Sequence, residues 1–226
     1  MKCLERLIIV YLKKQTETQL DGHQFAYREN KSTDDAVLTL LHYTHAHLDL
    51  QKAKYVRILF ADFSSAFNTI QPHILARKLQ DMHINPYISL WVTDFLSNRT
   101  QSVKYLSNSA SNSNCRSEKQ LSTHKTTNKK STILHSSIKT TNTGAPQGTV
   151  IAPFLFTLYT NDCRPTSQQT SIIKFSDDTA IIDTSDSHTS YQNEIDVFTE
   201  WCEYHFLNLN VSKTKEMLFD LNVTKN

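Results

Sequence analysis

Apolar positions spaced three and four apart (Leu4, Leu7, Ile8 and Leu12) predict a short amphipathic helix over residues 3–14. Gln24 to Arg28 is a short strand or an extended segment, and Asn30-Lys31-Ser32-Thr33 then supplies a turn and a helix cap. Leu38, Leu41, His45 and Leu48 carry that second helix to about Lys52. Tyr55 to Phe60 alternates as a strand and ends at Asp62. Two prolines in first-turn positions, Pro72 and Pro86, open helices. One runs to Met82 with Ile74, Leu75 and Leu79 on one face; the other holds Ile88, Trp91, Val92, Phe95 and Leu96. Gln101 to Leu106 follows as a strand. A helix over Val150–Tyr159 tolerates Pro153 only in its first turn. Ile172-Ile173 and Ile181-Ile182 bracket a hairpin, and a helix with Ile195, Phe198, Trp201 and Cys202 runs to about Phe206. A last strand covers Glu216–Leu221. The order predicts an α+β domain with an antiparallel sheet packed on helices.

Residues 107–142 break the pattern. Twenty of the 36 positions are Ser, Thr or Asn, with six basic residues against Glu118 as the one acid. Such a stretch cannot bury enough apolar surface to offset the entropy of ordering it, so it is expected to be a disordered insert. Its Cys115, His124 and His135 match no metal-site spacing.

Composition adds bounds. At 226 residues the chain is long enough for a real core, and 38% hydrophobic content with three glycines is low on both counts. The net charge of +2 leaves about −3 outside the basic insert, which provides no broad electrostatic footprint for nucleic acid. Cys3, Cys115, Cys163 and Cys202 are scattered, so neither a disulfide framework nor a zinc site is implied. No stretch reaches the ~18 apolar residues of a membrane span, and the start lacks the apolar core of a signal peptide, so an intracellular setting is expected.

Fourteen aspartates are present, and two pairs of them are adjacent. Asp34-Asp35 follows Ser32-Thr33 and opens a helical pattern, where acidic residues cap and complement the helix dipole. Asp177-Asp178 sits instead at or beside the tip of the hairpin, and carboxylates on a rigid turn are a way to hold a divalent cation. Asp62, at the end of an apolar strand, is the third member if that strand lies beside the hairpin. Three carboxylates so placed suit two-metal phosphoryl transfer, with magnesium as the natural ion.

These residues also resemble a known family. Phe60-Ala61-Asp62-Phe63-Ser64-Ser65-Ala66-Phe67 resembles motif A of reverse transcriptases, Gly144-Ala145-Pro146-Gln147-Gly148 motif B, Phe175-Ser176-Asp177-Asp178-Thr179 motif C, and Asn210 to Lys215 motif D. Gln24 to Thr33 resembles the fingers motif of the non-LTR, LINE-type retrotransposon branch. The five motifs stand in the family's order and cover about residues 1–105 and 142–221.

The resemblance implies a right-hand polymerase palm over 55–221, partial fingers over 1–54, a tail at 222–226 and a missing thumb. It also implies that the rest of a longer polyprotein is missing. The implied activity is RNA-directed DNA synthesis, adding dNTPs to a DNA primer's 3′-hydroxyl on an RNA template with two Mg²⁺ ions. Asp62 and Asp177 would bind the metals with the Phe63 carbonyl, and Asp178 would be the less essential partner. Phe67 falls on the steric-gate position, where a bulky ring collides with a ribose 2′-hydroxyl. Gln147 and Gly148 would contact the incoming nucleotide and template, and Arg28 and Lys31 would clamp the triphosphate. Lys213 would protonate the leaving pyrophosphate. Ser176 stands where the family usually has Ala, and its small size predicts tolerance. The competing reading is an inactive remnant, or an RNA-binding or interaction module that keeps the motifs.

Overall fold

The strand that ends at Asp62 and the two strands that flank Asp177-Asp178 pair with one another, and most other elements are arranged around that sheet. The computed structural model describes residues 2–49, 55–107, 132–185 and 187–220. In chain order these form α1 (Lys2–Thr16), α2 (Thr33–Asp49), β1 (Tyr55–Ala61), α3 (Ala66–Thr69), α4 (Pro72–Asp81) and α5 (Pro86–Leu96). Four short strands follow: β2 (Arg99–Gln101), β3 (Lys104–Ser107), β4 (Thr132–His135) and β5 (Lys139–Thr141). The chain continues with α6 (Ala152–Tyr159), β6 (Thr170–Phe175), β7 (Asp178–Asp183), α7 (His188–Tyr204) and β8 (Lys215–Asp220).

The chain divides into two compact units, residues 1–97 with 142–226, and residues 98–141. In the second, β2 pairs with β5 and β3 with β4, both antiparallel. Residues 132–135 and 139–141 are therefore strand, where the Ser/Thr/Asn-rich composition predicted disorder. Backbone ladders need no apolar side chains, and Ile133 and Leu134 supply β-formers that an average over the stretch hides. Residues 108–131 lie outside the described residues. Residues 1–54 belong to the same compact unit as the sheet.

In the first unit the strand order is β6-β7-β1-β8, and every neighbour is antiparallel. Helices cover both faces. On one, Val56, Ile58, Ile173, Ala180 and Ile182 pack with Ala36 and Leu48 of α2. On the other, Ala61, Ile172 and Ile181 join side chains of α1, α4, α5, α6 and α7. A fully buried side chain of this kind contributes about 1.5–3 kcal/mol. β7 is buried on both faces from Thr179 to Asp183, so hydrophobicity alone does not choose its register. The two-residue turn Ser176-Asp177 sets it at one end. At the other, the buried Thr170 hydroxyl donates to Asp183 at 3.2 Å, and the two residues are register partners.

Helix termini follow local chemistry. Ser32 and Asp35 cap α2 reciprocally: the Ser32 backbone N–H donates to the Asp35 carboxylate at 2.7 Å, and the Asp35 N–H donates to the Ser32 hydroxyl at 3.2 Å. The N-terminus of α6 is capped from a distance, since the buried Glu5 carboxylate of α1 accepts from Val150 N–H at 2.7 Å and Ile151 N–H at 3.4 Å. No helix among the described residues is long and apolar enough to cross a membrane.

Candidate active site

Register alone brings two of the three aspartates to one end of the sheet's central strands. Ala61 lies opposite Thr179, and Phe175 opposite Asp178, so Asp62, one residue beyond β1, emerges beside the start of β7. Asp177 occupies the turn itself. Burial first, then the Asp177 and Asp62 charges, push the Asp178 carboxyl above the usual carboxylate range. A cleft of about 470 Å³ contains Asp62, Asp178 and Lys213, with Val37, Leu40 and Phe60 among its apolar walls.

The segment after Asp62 is held by residues 208–214. Ser64 N–H donates to the Asn208 carbonyl and Asn210 N–H to the Asp62 carbonyl, both at 2.8 Å, around a bridge between Phe63 and Leu209. In this ladder the bonds come from the residues flanking Phe63, so the Phe63 carbonyl is turned away from residues 208–210. The Asp62 N–H donates to the Thr214 hydroxyl at 3.4 Å. That turn brings Lys213 Nζ to 3.7 Å from Asp62 Oδ2, an ion-pair distance longer than a hydrogen bond. Asp62 Oδ2 is buried without a hydrogen-bond partner, a costly state for a carboxylate oxygen. Among the described residues, no group of three or more His, Cys, Asp or Glu side chains is gathered as a metal cluster. Magnesium asks for less, because it takes one or two carboxylates and completes its shell with water and phosphate oxygens. The unpartnered Asp62 oxygen, the crowded Asp178 and a Phe63 carbonyl turned away from residues 208–210 fit that demand.

Phe67 lies in α3, half-buried, with its ring 4.8 Å from that of Phe156. Gln147 and Gly148 are exposed on the loop before α6. Gly144 fixes that loop against α3: its N–H donates to the Ile70 carbonyl at 2.7 Å, and the next N–H, of Ala145, to the Phe67 carbonyl at 2.8 Å. Gly144 has φ of 72°, and a Cβ there would lie 2.6 Å from the Asn68 backbone. Only glycine fits. The φ of 75° at Gly148 also favours glycine, although nothing crowds it.

Arg28 and Lys31 lie near each other but spend donors on backbone carbonyls. Arg28 donates to the Asp21 carbonyl at 2.6 Å, and Lys31 to the Gly22 carbonyl while its ammonium sits over the Phe25 ring. Burial, then the Arg28 charge, lowers the Lys31 pKa from its usual value. Neither residue lines the cleft that holds Asp62, Asp178 and Lys213.

Sequence reasoning missed the residues that seat the segment carrying Arg28. Lys174, 2% exposed in β6, donates to the Thr160 and Cys163 carbonyls at 3.0 and 2.8 Å and pairs with Asp21 at 2.8 Å. Burial works to raise the Asp21 pKa, but the Lys174 charge and hydrogen bond outweigh it and the net shift is downward. Phe25 N–H donates to the Lys174 carbonyl and Lys174 N–H to the His23 carbonyl, each at 2.9 Å, so residues 23–25 lie alongside β6. The available signal was a lysine inside an apolar strand, between Ile173 and Phe175. Glu5, in the apolar stripe of α1 with Ile8 and Leu12, was legible in the same way.

Comparison with known proteins supports the same assignment. The family model described as "Reverse transcriptase (RNA-dependent DNA polymerase)" matches residues 1–225. The RNA-directed DNA polymerase from mobile element jockey of Drosophila funebris is 22% identical over 96% of this chain. The probable RNA-directed DNA polymerase from transposon X-element of Drosophila melanogaster is 24% identical over 97%. The chain spans 22% of the length of each of these relatives. Among solved structures, telomerase from Candida albicans, in complex with a fragment of telomeric RNA, covers 99% of this chain at TM-score 0.54 and 14% identity, over 34% of its own length. Telomerase from Candida tropicalis covers 96% at TM-score 0.56 and 11% identity, over 33% of its own length. At such identities these likenesses concern the fold, a mixed helical and antiparallel-sheet polymerase fold. With the motifs, the strand ends that gather Asp62 and Asp178, and a family match over nearly its whole length, this chain belongs to the reverse transcriptase (RNA-dependent DNA polymerase) family.

Proposed function

We propose that this chain is the polymerising core of a LINE-type, non-LTR RNA-directed DNA polymerase, adding dNTPs to a primer 3′-hydroxyl on an RNA template. In this reading residues 55–221, the four-stranded sheet with α3 to α7, are the palm, and residues 1–54 are part of the fingers. The observation that carries the proposal is the convergence of Asp62, Asp178 and Lys213 in one cleft, with Asp177 on the adjoining turn.

Asp62 and Asp177, with the Phe63 carbonyl, would hold two Mg²⁺ ions, and Asp178 would assist. When bound there, such ions supply charge stabilisation to the attacking and leaving oxygens. The remaining work falls to the chain. Lys213, an exposed ammonium beside Asp62, is placed to give a proton to departing pyrophosphate. Phe67 is braced by Phe156, so its ring would exclude a 2′-hydroxyl without swinging away. Exposed Gln147 and Gly148 offer an amide and an open backbone to the nucleotide and template. Arg28 and Lys31 would reach a triphosphate by exchanging their carbonyl partners for phosphate oxygens, a stronger, charge-assisted contact.

Primer extension on an RNA template with magnesium tests this, comparing the chain with Asp62→Ala. Incorporation by the parent and its loss in the variant are expected; equal incorporation would overturn the proposal. Phe67→Ala in the same assay should reduce discrimination against ribonucleotides by up to about a hundredfold, the scale on which a pocket rejects an added hydroxyl. The engagement of Arg28 and Lys31 with backbone favours a second reading, a non-catalytic RNA-binding module. RNA binding without incorporation would select it.

A further inference from the structure

Ser176 departs from the alanine usual before the acidic pair, and its hydroxyl has a partner. Ser176 Oγ and the Tyr27 hydroxyl are hydrogen-bonded at 3.0 Å, across 149 positions of sequence. Both residues hold left-handed backbone, with φ of 60° at Tyr27 and 61° at Ser176, where residues with a Cβ are disfavoured. Ser176 is the first residue of the two-residue turn, and Asp177 is the second. Tyr27 directly precedes Arg28, in the segment that the 23–25 bridge and the Asp21–Lys174 ion pair lay alongside β6. The body of that segment is thus fixed to the strand leading into the turn, while the Tyr27–Ser176 bond is its contact with the turn itself. A contact at this point limits the rotation of the turn that would redirect the Asp177 carboxylate.

We infer that Tyr27 and Ser176 form a clasp that positions Asp177 by tying the acidic turn to a segment that its own contacts with β6 already hold in place. Both are positioning residues. The catalytic part of this inference rests on the proposed role of Asp177; the mechanical part does not. A clasp made by two hydroxyls is lost whichever one is removed. Tyr27→Phe and Ser176→Ala should therefore have the same effect, and the double variant no more than either alone.

The test uses the three variants in the full chain. Amide hydrogen exchange at residues 176–179 should accelerate by about fivefold in each single variant, the equivalent of one neutral hydrogen bond, and equally in the double variant. The same variants in primer extension should lower kcat by a similar factor and raise the magnesium concentration at half-maximal rate. The KM for dNTP should stay unchanged; a general loss of folded protein would also lower apparent kcat at constant KM, but would leave the magnesium midpoint at the parental value. Unchanged exchange at 176–179, or effects that add in the double variant, would overturn the clasp. An inactive parent chain would sink the polymerase reading alone, because exchange still decides the clasp. Accelerated exchange with parental kcat and magnesium dependence would overturn the positioning of Asp177.

Discussion

Two adjacent aspartate pairs in this chain have the same composition and opposite environments. Asp34-Asp35 begins a helix, and the Asp35 carboxylate accepts from both the backbone and hydroxyl of Ser32 at 2.7 Å. Those hydrogen bonds, side chain first, hold its pKa below the usual value. Asp177-Asp178 stands on a hairpin turn beside Asp62, and burial together with its neighbours' charges moves Asp178 the other way. A carboxylate supplied with donors is satisfied; one crowded by other carboxylates is held against their charge. The first pair completes a local structure, whereas the second joins Asp62, where the proposed function would place a cation. Like residues became unlike groups because one pair's neighbours come from its own helix turn and the other's from strands more than a hundred residues apart.

The largest expected difference is catalytic. Asp177→Ala should reduce primer extension by about a thousandfold, the several kcal/mol that metal charge stabilisation supplies. Asp34→Ala should leave the rate within about twofold, as expected for an exposed side chain outside the cleft's lining. A comparable loss in both variants would break the comparison. Next is Gly144→Ala, which tests whether the hairpin pair depends on a distant loop. The left-handed φ and the approach of Asn68 predict a loss of about 2–3 kcal/mol by urea unfolding. Gly148→Ala has a similar φ but open space, and should cost about 1 kcal/mol. Ser32→Ala removes the α2 cap and should cost about 1 kcal/mol of stability while leaving kcat unchanged.

The smallest effect, and the sharpest in sign, is the pH response without added metal. Asp35, lowered when folded, contributes stability above the ordinary carboxylate range, lost as pH falls through its depressed value. Asp178, raised when folded, favours the folded state only while protonated. That contribution is present below the ordinary carboxylate range and lost as pH rises through its raised value. Asp35→Asn should therefore be less stable than the parent near neutrality, and Asp178→Asn more stable. Both differences should shrink toward about pH 2, where the carboxyls are protonated in folded and unfolded chains alike. Urea unfolding at the two pH values measures this.

Much of the fold was legible before any tertiary information. Prolines at 72 and 86 began helices where first-turn prolines belong, and the caps at Asn85 and Ser32 act within a few residues. The 170–183 hairpin followed from β-branched runs around a polar turn. The four-residue α3 was missed because a single turn at Ala66–Thr69 has no periodicity to detect, and its loop partner comes from Gly144 and Ala145. The strands at 132–141 were missed because their pairing is backbone chemistry in a polar stretch.

At the candidate site, the sequence by itself determined which residues are candidates for the chemistry: Asp62 at a strand end, Asp177-Asp178 at or beside a turn, and the motif order that places them in one family. These are local signals, set by residue type, spacing and backbone preference. Tertiary structure decided what each group experiences. It chose the register of a strand buried on both faces, left one Asp62 oxygen without a hydrogen-bond partner and turned Lys213 toward it. It also engaged Arg28 and Lys31 with carbonyls and gave Ser176 a tyrosine partner. The physical reason is range: propensity and capping act over a few residues, whereas charge, desolvation and hydrogen-bond partnership depend on whichever parts of the chain the sheet brings within a few ångströms.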